Sequence, residues 1–435
     1  MNVAVKKTSI RKVALASLLG ATIEWYDFFL YGVVAAIVFN KQFFPPGLDV
    51  YTRTIFAYLT FGIGYLARPF GAFIFGHFGD KIGRRSMLVI TLLIMGVATV
   101  GIGLIPTYAK IGLLAPLFLQ IMRLLQGFGL GGEWGGSVLL AYEHADEKER
   151  AFYASFPQMG LATGLCMATG VVALLSHTLS DAQFLAWGWR IAFLGSIVLV
   201  AIALYIRLTI LETPDFLKAK EAQAAKTTRM PIVTVLKKYP RSILLGIGAR
   251  WIDGTYFNVF AVFLITFLST TFHLSREASL YPVLAAALVM CPFMLYAGRL
   301  CDFMGRGRVF ALASILCGLA TVPALHFIYV SGGATWIIWT ATIIPLGIFY
   351  SAIFGPQAAM LSGLFPAEVR YTGISVVYQF PSFLVAGIVP ALCTYLLKLD
   401  HGAPYYICYF VMFVALVGAW SAWTIQKRTD LGRNN

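Results

Sequence analysis

The sequence predicts an all-α membrane protein: twelve transmembrane helices in two pseudosymmetric six-helix bundles, with both termini in the cytoplasm. Three observations predict it. First, 59% of the chain is hydrophobic and 12% charged, with a mean hydropathy of +0.79; a soluble domain carries roughly 45–50% and about 25%. Second, a short charged turn is written twice. Gly76-His-Phe-Gly-Asp80, followed by Gly83, Arg84 and Arg85, recurs 222 residues later as Gly298-Arg-Leu-Cys-Asp302, followed by Gly305, Arg306 and Arg308. Such a half-chain repeat in an apolar sequence reads as a two-bundle transporter. Third, the basic residues are sided. Turns on the side shared by the termini hold 21 Lys and Arg, and the opposite turns hold five: Lys41, Arg53, Lys110, Arg276 and Lys398. That bias places both termini in the cytoplasm. The net charge of +14 therefore flanks membrane spans, and no nucleic-acid partner is expected.

A run of about 20 apolar residues crosses a bilayer. The first run, 13–39, follows four basic residues as a signal peptide would, but it is too long and contains Glu24 and Asp27, so it reads as a retained span. Runs 55–78 and 87–106 flank the first charged turn. Run 112–141 carries Arg123 and a glycine series. Run 152–177 follows Glu147-x-x-Arg150, and 190–211 closes the first half. Residues 212–240 are polar and Ala-rich, a partly helical linker on the cytoplasmic surface. Run 242–270 carries Arg250 and Asp253; 279–300 and 309–330 flank the second charged turn; 336–364 and 404–426 enclose 372–397, which follows Glu368-x-Arg370. The domains are thus 1–211, the linker 212–240, and 241–435. Little soluble mass remains, so the chemistry lies inside the membrane.

Glu24 and Asp27 are three residues apart and share a helix face, with Tyr31 one turn further. A carboxylate at the bilayer centre costs roughly 2.5–3.5 kcal/mol on insertion scales, which is tolerated where it faces a cavity or a partner. Two neighbouring carboxylates in a low dielectric resist ionising together, the chemistry that proton coupling needs; a structural pair with an arginine is the alternative. Arg123 cannot shed its charge. Its fork suits a carboxylate, either a substrate's or, as a standing bridge, that of Glu24 or Asp27. Gln126 lies one turn on. Gly127-x-Gly129-x-x-Gly132 matches a dinucleotide fingerprint by letter, but no strand precedes it; its glycines suit close helix packing. Glu133 sits at the cytoplasmic end as a candidate gate. Asp80 and Asp302 are placed to cap neighbouring helix N-termini, and Arg84, Arg85, Arg150, Arg306 and Arg370 to hold carboxylates across the bundle interface. Arg250 and Asp253 satisfy each other or face a cavity. Gln158, Tyr256, Asn258, Tyr350, Gln357 and Gln379 are candidates for orienting a substrate. The six cysteines show neither CxxC nor metal-ligand spacing, so no metal or cofactor is expected. No HExxH, GxSxG or Walker-like motif is present, so no enzyme is expected.

The first turn, Gly76-x-x-x-Asp80-x-x-Gly83-Arg84-Arg85, resembles the signature turn of the major facilitator superfamily. Glu24-Trp-Tyr-Asp-Phe-Phe-Leu-Tyr-Gly32, Arg123-Leu-Leu-Gln-Gly-Phe-Gly-Leu-Gly-Gly-Glu-Trp-Gly-Gly136 and Ala186-Trp-Gly-Trp-Arg190 resemble its metabolite:proton symporter branch, and within it the first half is similar to shikimate-type carriers and also to relatives of unassigned substrate. The resemblance implies the major facilitator fold, alternating access, and a central cavity lined by spans 1, 4, 7 and 10. It also implies inward co-transport of protons with a dicarboxylate, citrate, a cyclic hydroxy acid, proline or betaine. Glu24 stands where some shikimate-type relatives have Asp. In the second turn a basic residue is displaced to Arg308, which weakens that lock. The expectation is a monomeric, multi-pass symporter of the bacterial inner membrane that imports a small organic acid. Glu24 and Asp27 would carry the proton and Arg123 would receive the substrate carboxylate. The rival is a zwitterion carrier whose acids in the first span meet a substrate cation.

Overall fold

The computed structural model describes residues 10–82, 84–131, 134, 138, 141–142, 145–209, 231–366 and 369–433. These residues are helical or in short connections, with no strand among them. The twelve predicted spans are helices: α1 Val13–Gln42, α2 Val50–Ile82, α3 Arg84–Leu104, α4 Leu114–Gly131, α5 Glu147–Thr178, α6 Asp181–Tyr205, α7 Pro240–Thr271, α8 Glu277–Met304, α9 Arg306–Val330, α10 Thr335–Ser362, α11 Thr372–Leu399 and α12 Tyr405–Arg428. Of the linker, only the helix Pro231–Lys238 and the adjoining Tyr239 are described.

Packing repeats with a step of six helices. In the first bundle α1 packs on α5, α2 on α4 and α3 on α6; in the second α7 packs on α11, α8 on α10 and α9 on α12. The bundles meet along α5–α8 and α2–α11. Burial follows this plan: the most apolar stretches of α1 and α7 are 100% and 94% buried, that of α6 only 28%. α1 and α7 therefore line the centre while α6 faces outward. Large apolar side chains on the perimeter, such as Val97, Val198, Leu319 and Trp420, are exposed, as a lipid-facing surface requires.

Two features set the geometry of the centre. A glycine seam joins α2 to α4: a Cβ at Gly127 would meet the Gly64 carbonyl, and one at Gly131 the Arg68 carbonyl. Hydrogen in place of a side chain lets the two backbones touch. Wide π-helical turns interrupt α1 at Ala35–Phe39 and α7 at Asn258–Phe263, the same relative place in each half. Three more lie at Phe184–Gly188 in α6, at Ile343–Phe349, which contains Pro345, and at Phe383–Gly387, just past Pro381. Helix α6 starts nine residues earlier than expected. Ser180 and Gln183 form a capping box, a legible signal, and it puts Trp187 and Trp189 inside the helix.

Candidate functional site

Six charged side chains are buried among the described residues: Glu24, Asp27, Arg68, Arg123, Arg250 and Asp253. Four belong to the first bundle. Arg123 of α4 donates from Nε to the Phe61 carbonyl (3.2 Å) and from Nη1 to the Phe28 carbonyl (3.3 Å) and Gln126 Oε1 (2.9 Å). Gln126 Nε2 donates to Thr99 Oγ1 at 2.7 Å, and Asp27 lies beside the Thr99 and Ser196 hydroxyls. Arg123 and Asp27 form no ion pair; a chain of neutral groups separates them. Asp27 Oδ1 and Arg123 Nη2 have no hydrogen-bond partner. The Tyr31 hydroxyl donates to Thr60, and its ring lies 4.6 Å from the Arg123 guanidinium.

Arg68 of α2 was not singled out from sequence, although an arginine in an apolar run is itself a signal. It is 1% exposed. Its Nε and Nη2 have no acceptor, and its guanidinium lies 4.2 Å from the Phe28 ring centre, 4.3 Å from Tyr65 and 5.5 Å from Trp25. Arg123 lies 3.8 Å from the same Phe28 ring, so the two cations are no more than about 8 Å apart. At an effective dielectric near 20 they repel by about 2 kcal/mol, offset in part by cation–π attraction.

In the second bundle, by contrast, the buried acid is satisfied. Arg250 and Asp253 form an ion pair one turn apart on α7. Tyr350 Oη donates to Asp253 Oδ1 at 2.7 Å and Gln357 Nε2 to Oδ2 at 3.1 Å. Asn258 Nδ2 donates to the Gly254 carbonyl, leaving Oδ1 without a donor. Tyr256 is buried, its ring 6.4 Å from that of Tyr350.

Two cavities of about 10 Å³ each lie between the bundles, room for about one water. Glu24, Trp25, Arg68, Trp134, Tyr378 and Gln379 are among the residues lining the first; Trp25, Tyr65, Arg250, Asp253, Asn258, Tyr350 and Tyr378 are among those lining the second. Arg123, Tyr31, Gln126, Gln158, Tyr256 and Gln357 line neither. Across the interface Trp134 stacks on Tyr378 at 3.6 Å and 8°. Gln158 accepts from Trp134 Nε1 and donates to the Phe354 carbonyl, and Gln379 donates to the Gly131 carbonyl.

Both ends are closed. At the end carrying the duplicated turns, Asp302 of α8 accepts from the Ala151 and Phe152 amides of α5, each at 3.0 Å. Arg299 pairs with Glu149 at 3.1 Å. Arg150, Arg306 and Arg370 surround the Tyr142 ring at 5.2–5.7 Å; Arg306 donates to its hydroxyl, and Arg370 to the Ser362 and Phe365 carbonyls. Glu133 and the side chains of Asp80, Arg84 and Arg85 lie outside the described residues. At the opposite end Tyr58 of α2 donates to the Val262 carbonyl of α7, Gly62 abuts Gly387, and Lys398 meets Asp49 at 3.5 Å.

Two helical bundles closed at both ends around a small charged centre define a membrane transporter. Residues 12–235 match the family described as sugar (and other) transporters, and 247–435 the major facilitator superfamily. The chain is 41% identical over 392 residues to the inner membrane metabolite transport protein YhjE of Escherichia coli K12 (89% of this chain, 88% of that one). It is 36% identical over 412 residues to the shikimate transporter of the same organism (95% and 93%). Its fold matches the crystal structure of a D-xylose–proton symporter with a TM-score of 0.75 at 16% identity, covering 96% and 98% of the two chains. The chain belongs to the major facilitator superfamily, in its metabolite:proton symporter branch, and is a multi-pass transporter of the bacterial inner membrane rather than an enzyme.

Proposed function

We propose that the protein imports a small organic acid together with protons by alternating access, with shikimate-like hydroxy acids as the first substrates to test. The observation that carries this reading is the first-bundle centre: two buried guanidiniums without an ion pair among the described residues stand beside buried acids on α1. A buried charge without a partner is costly, and an incoming anion relieves it. A proton on Asp27 or Glu24 offsets the charge that the anion brings. The 36% identity to a shikimate transporter supports the substrate class. The sidedness of the basic residues puts the duplicated turns and both termini in the cytoplasm, so Asp302, Arg150, Arg306 and Arg370 form the inner gate and Tyr58 belongs to the outer one. The monomer suffices for this cycle, with 1–211 and 241–435 as the moving bodies joined by 212–240.

A second reading has one observation in its favour. The aromatic side chains Trp25, Phe29, Tyr65, Phe257, Tyr350, Phe354 and Tyr378 surround the second cavity beside the Arg250–Asp253 pair, and their ring faces suit a quaternary ammonium. Uptake of labelled shikimate, citrate and betaine into proteoliposomes, with and without an imposed pH gradient, separates the readings. Accumulation of an acid that collapses with an uncoupler is expected. Betaine uptake with no acid uptake favours the zwitterion reading, and acid accumulation indifferent to the pH gradient refutes proton coupling.

A further inference from the structure

We propose that Arg68, rather than Arg123, is the residue that receives the cargo's carboxylate, in the cavity between α1, α2, α4, α5 and α11. The inference rests on the organic-acid reading above and names the site within it. The three buried guanidiniums differ in where their N–H groups go. Arg123 is largely occupied: three of its N–H bonds end on Phe61, Phe28 and Gln126, only Nη2 has no acceptor, and it lines neither of the two cavities. Arg250 pairs with Asp253 through Nη1, which neutralises its charge although its Nε has no acceptor. Arg68 makes no ion pair or hydrogen bond among the described residues; aromatic rings surround it, and its Nε and Nη2 are free.

Those two nitrogens lie on one edge of the guanidinium, the edge that a carboxylate engages bidentately. The cavity beside them also holds unpartnered Tyr378 Oη and Gln379 Oε1. The hydroxyl of Tyr378 is both donor and acceptor, and the amide oxygen of Gln379 is an acceptor, so hydroxyl groups on the cargo find partners on the wall facing Arg68. Trp25 and Trp134 supply flat apolar faces. The combination selects a ring or short chain with one carboxylate at one end and hydroxyls at the other. The cavity has room for about one water, so cargo enters only when the bundles part, and the α2–α11 contact that brings Tyr378 and Gln379 against Arg68 re-forms around it.

Binding to the purified full-length protein tests this, with shikimate, benzoate and citrate as probes, shikimate and benzoate each set against its methyl ester. Wild type is expected to bind shikimate and not the ester. Arg68→Lys keeps the charge but loses the fork, and its Kd rises at least 10-fold. Arg68→Gln abolishes binding. Arg123→Lys is expected to lower the maximal uptake rate with little change in Kd. Gln379→Leu is expected to narrow the preference for shikimate over benzoate, and it serves as the second probe if the Arg68 variants fail to fold. Wild-type Kd in Arg68→Lys and Arg68→Gln, or unchanged selectivity in Gln379→Leu, overturns the assignment while proton-driven uptake leaves the transport reading standing. Absence of any carboxylate binding or uptake by wild type refutes both.

Discussion

The two halves share a topology yet treat their buried charges differently. In the second bundle Asp253 is fully engaged: Arg250, Tyr350 and Gln357 all point at it. In the first, Arg123 meets carbonyl oxygens and ring faces, Arg68 meets ring faces alone, and Asp27 keeps one oxygen without a partner. A satisfied ion pair holds a fold in register; an unsatisfied group is held ready for something that arrives. On the proposed reading, the α7 ion pair is structural and the α1, α2 and α4 charges do the work of transport.

The largest expected effect tests the structural half. Asp253→Asn leaves Arg250 uncompensated and costs about 3–5 kcal/mol, seen as a steep loss of thermal stability and of folded yield, whereas the double variant Arg250→Met with Asp253→Leu recovers much of it. Next comes the working half. Asp27→Asn is expected to lose pH-driven accumulation by at least about 10-fold, a change of about 1.4 kcal/mol, while substrate exchange across the membrane persists and the melting temperature moves far less than in Asp253→Asn. If the two variants exchange phenotypes, the contrast between the halves is broken.

The gates sharpen the comparison on a smaller scale. Asp302→Asn weakens a two-amide cap worth about 1 kcal/mol, about a 5-fold shift in an equilibrium. It is expected to favour the form open at the duplicated turns, read as faster maleimide labelling of a Ser155→Cys variant, a position of α5 buried against Gly298 of α8. Tyr58→Phe removes the hydrogen bonds to the Val262 carbonyl and the Thr266 hydroxyl at the other end, about 0.5–1.5 kcal/mol each, and is expected to slow the same labelling. The smallest effect belongs to Asp49. Hydrogen bonds from the Thr52 hydroxyl and amide, with Lys398 beyond, hold its carboxyl below the usual carboxylate range. A depressed folded-state value stabilises above the unfolded pKa and fades as pH falls through the folded one. Asp49→Ala should therefore leave transport at neutral pH unchanged, and any difference in melting temperature should shrink below about pH 4.

Much of this was legible in the residues. Long apolar runs fix twelve helices, and the repeated turn fixes their pairing in two bundles. The Asp302 cap on a neighbouring helix was readable because an acidic residue at a tight turn beside a helix start has few other uses. Other features were not legible, for reasons of tertiary distance. Arg123 invited a carboxylate partner, but the glycine seam brings α2 so close that the Phe61 carbonyl reaches it first. Arg68 sits before Pro69 in a run that reads as ordinary span, and only the meeting of α1, α2 and α11 shows that aromatic rings and a cavity surround it. The π-helical turns of α1 and α7 carry no proline and leave no local mark.

The stack of Trp134 on Tyr378 joins a residue of one bundle to a residue of the other, face to face at 3.6 Å. Any separation of the bundles at the centre must pull an indole off a phenol and admit solvent to both. The molecule therefore carries its own optical gauge: ultraviolet emission from that indole reports the motion of transport without any attached dye, and a Tyr378→Leu variant supplies the blank.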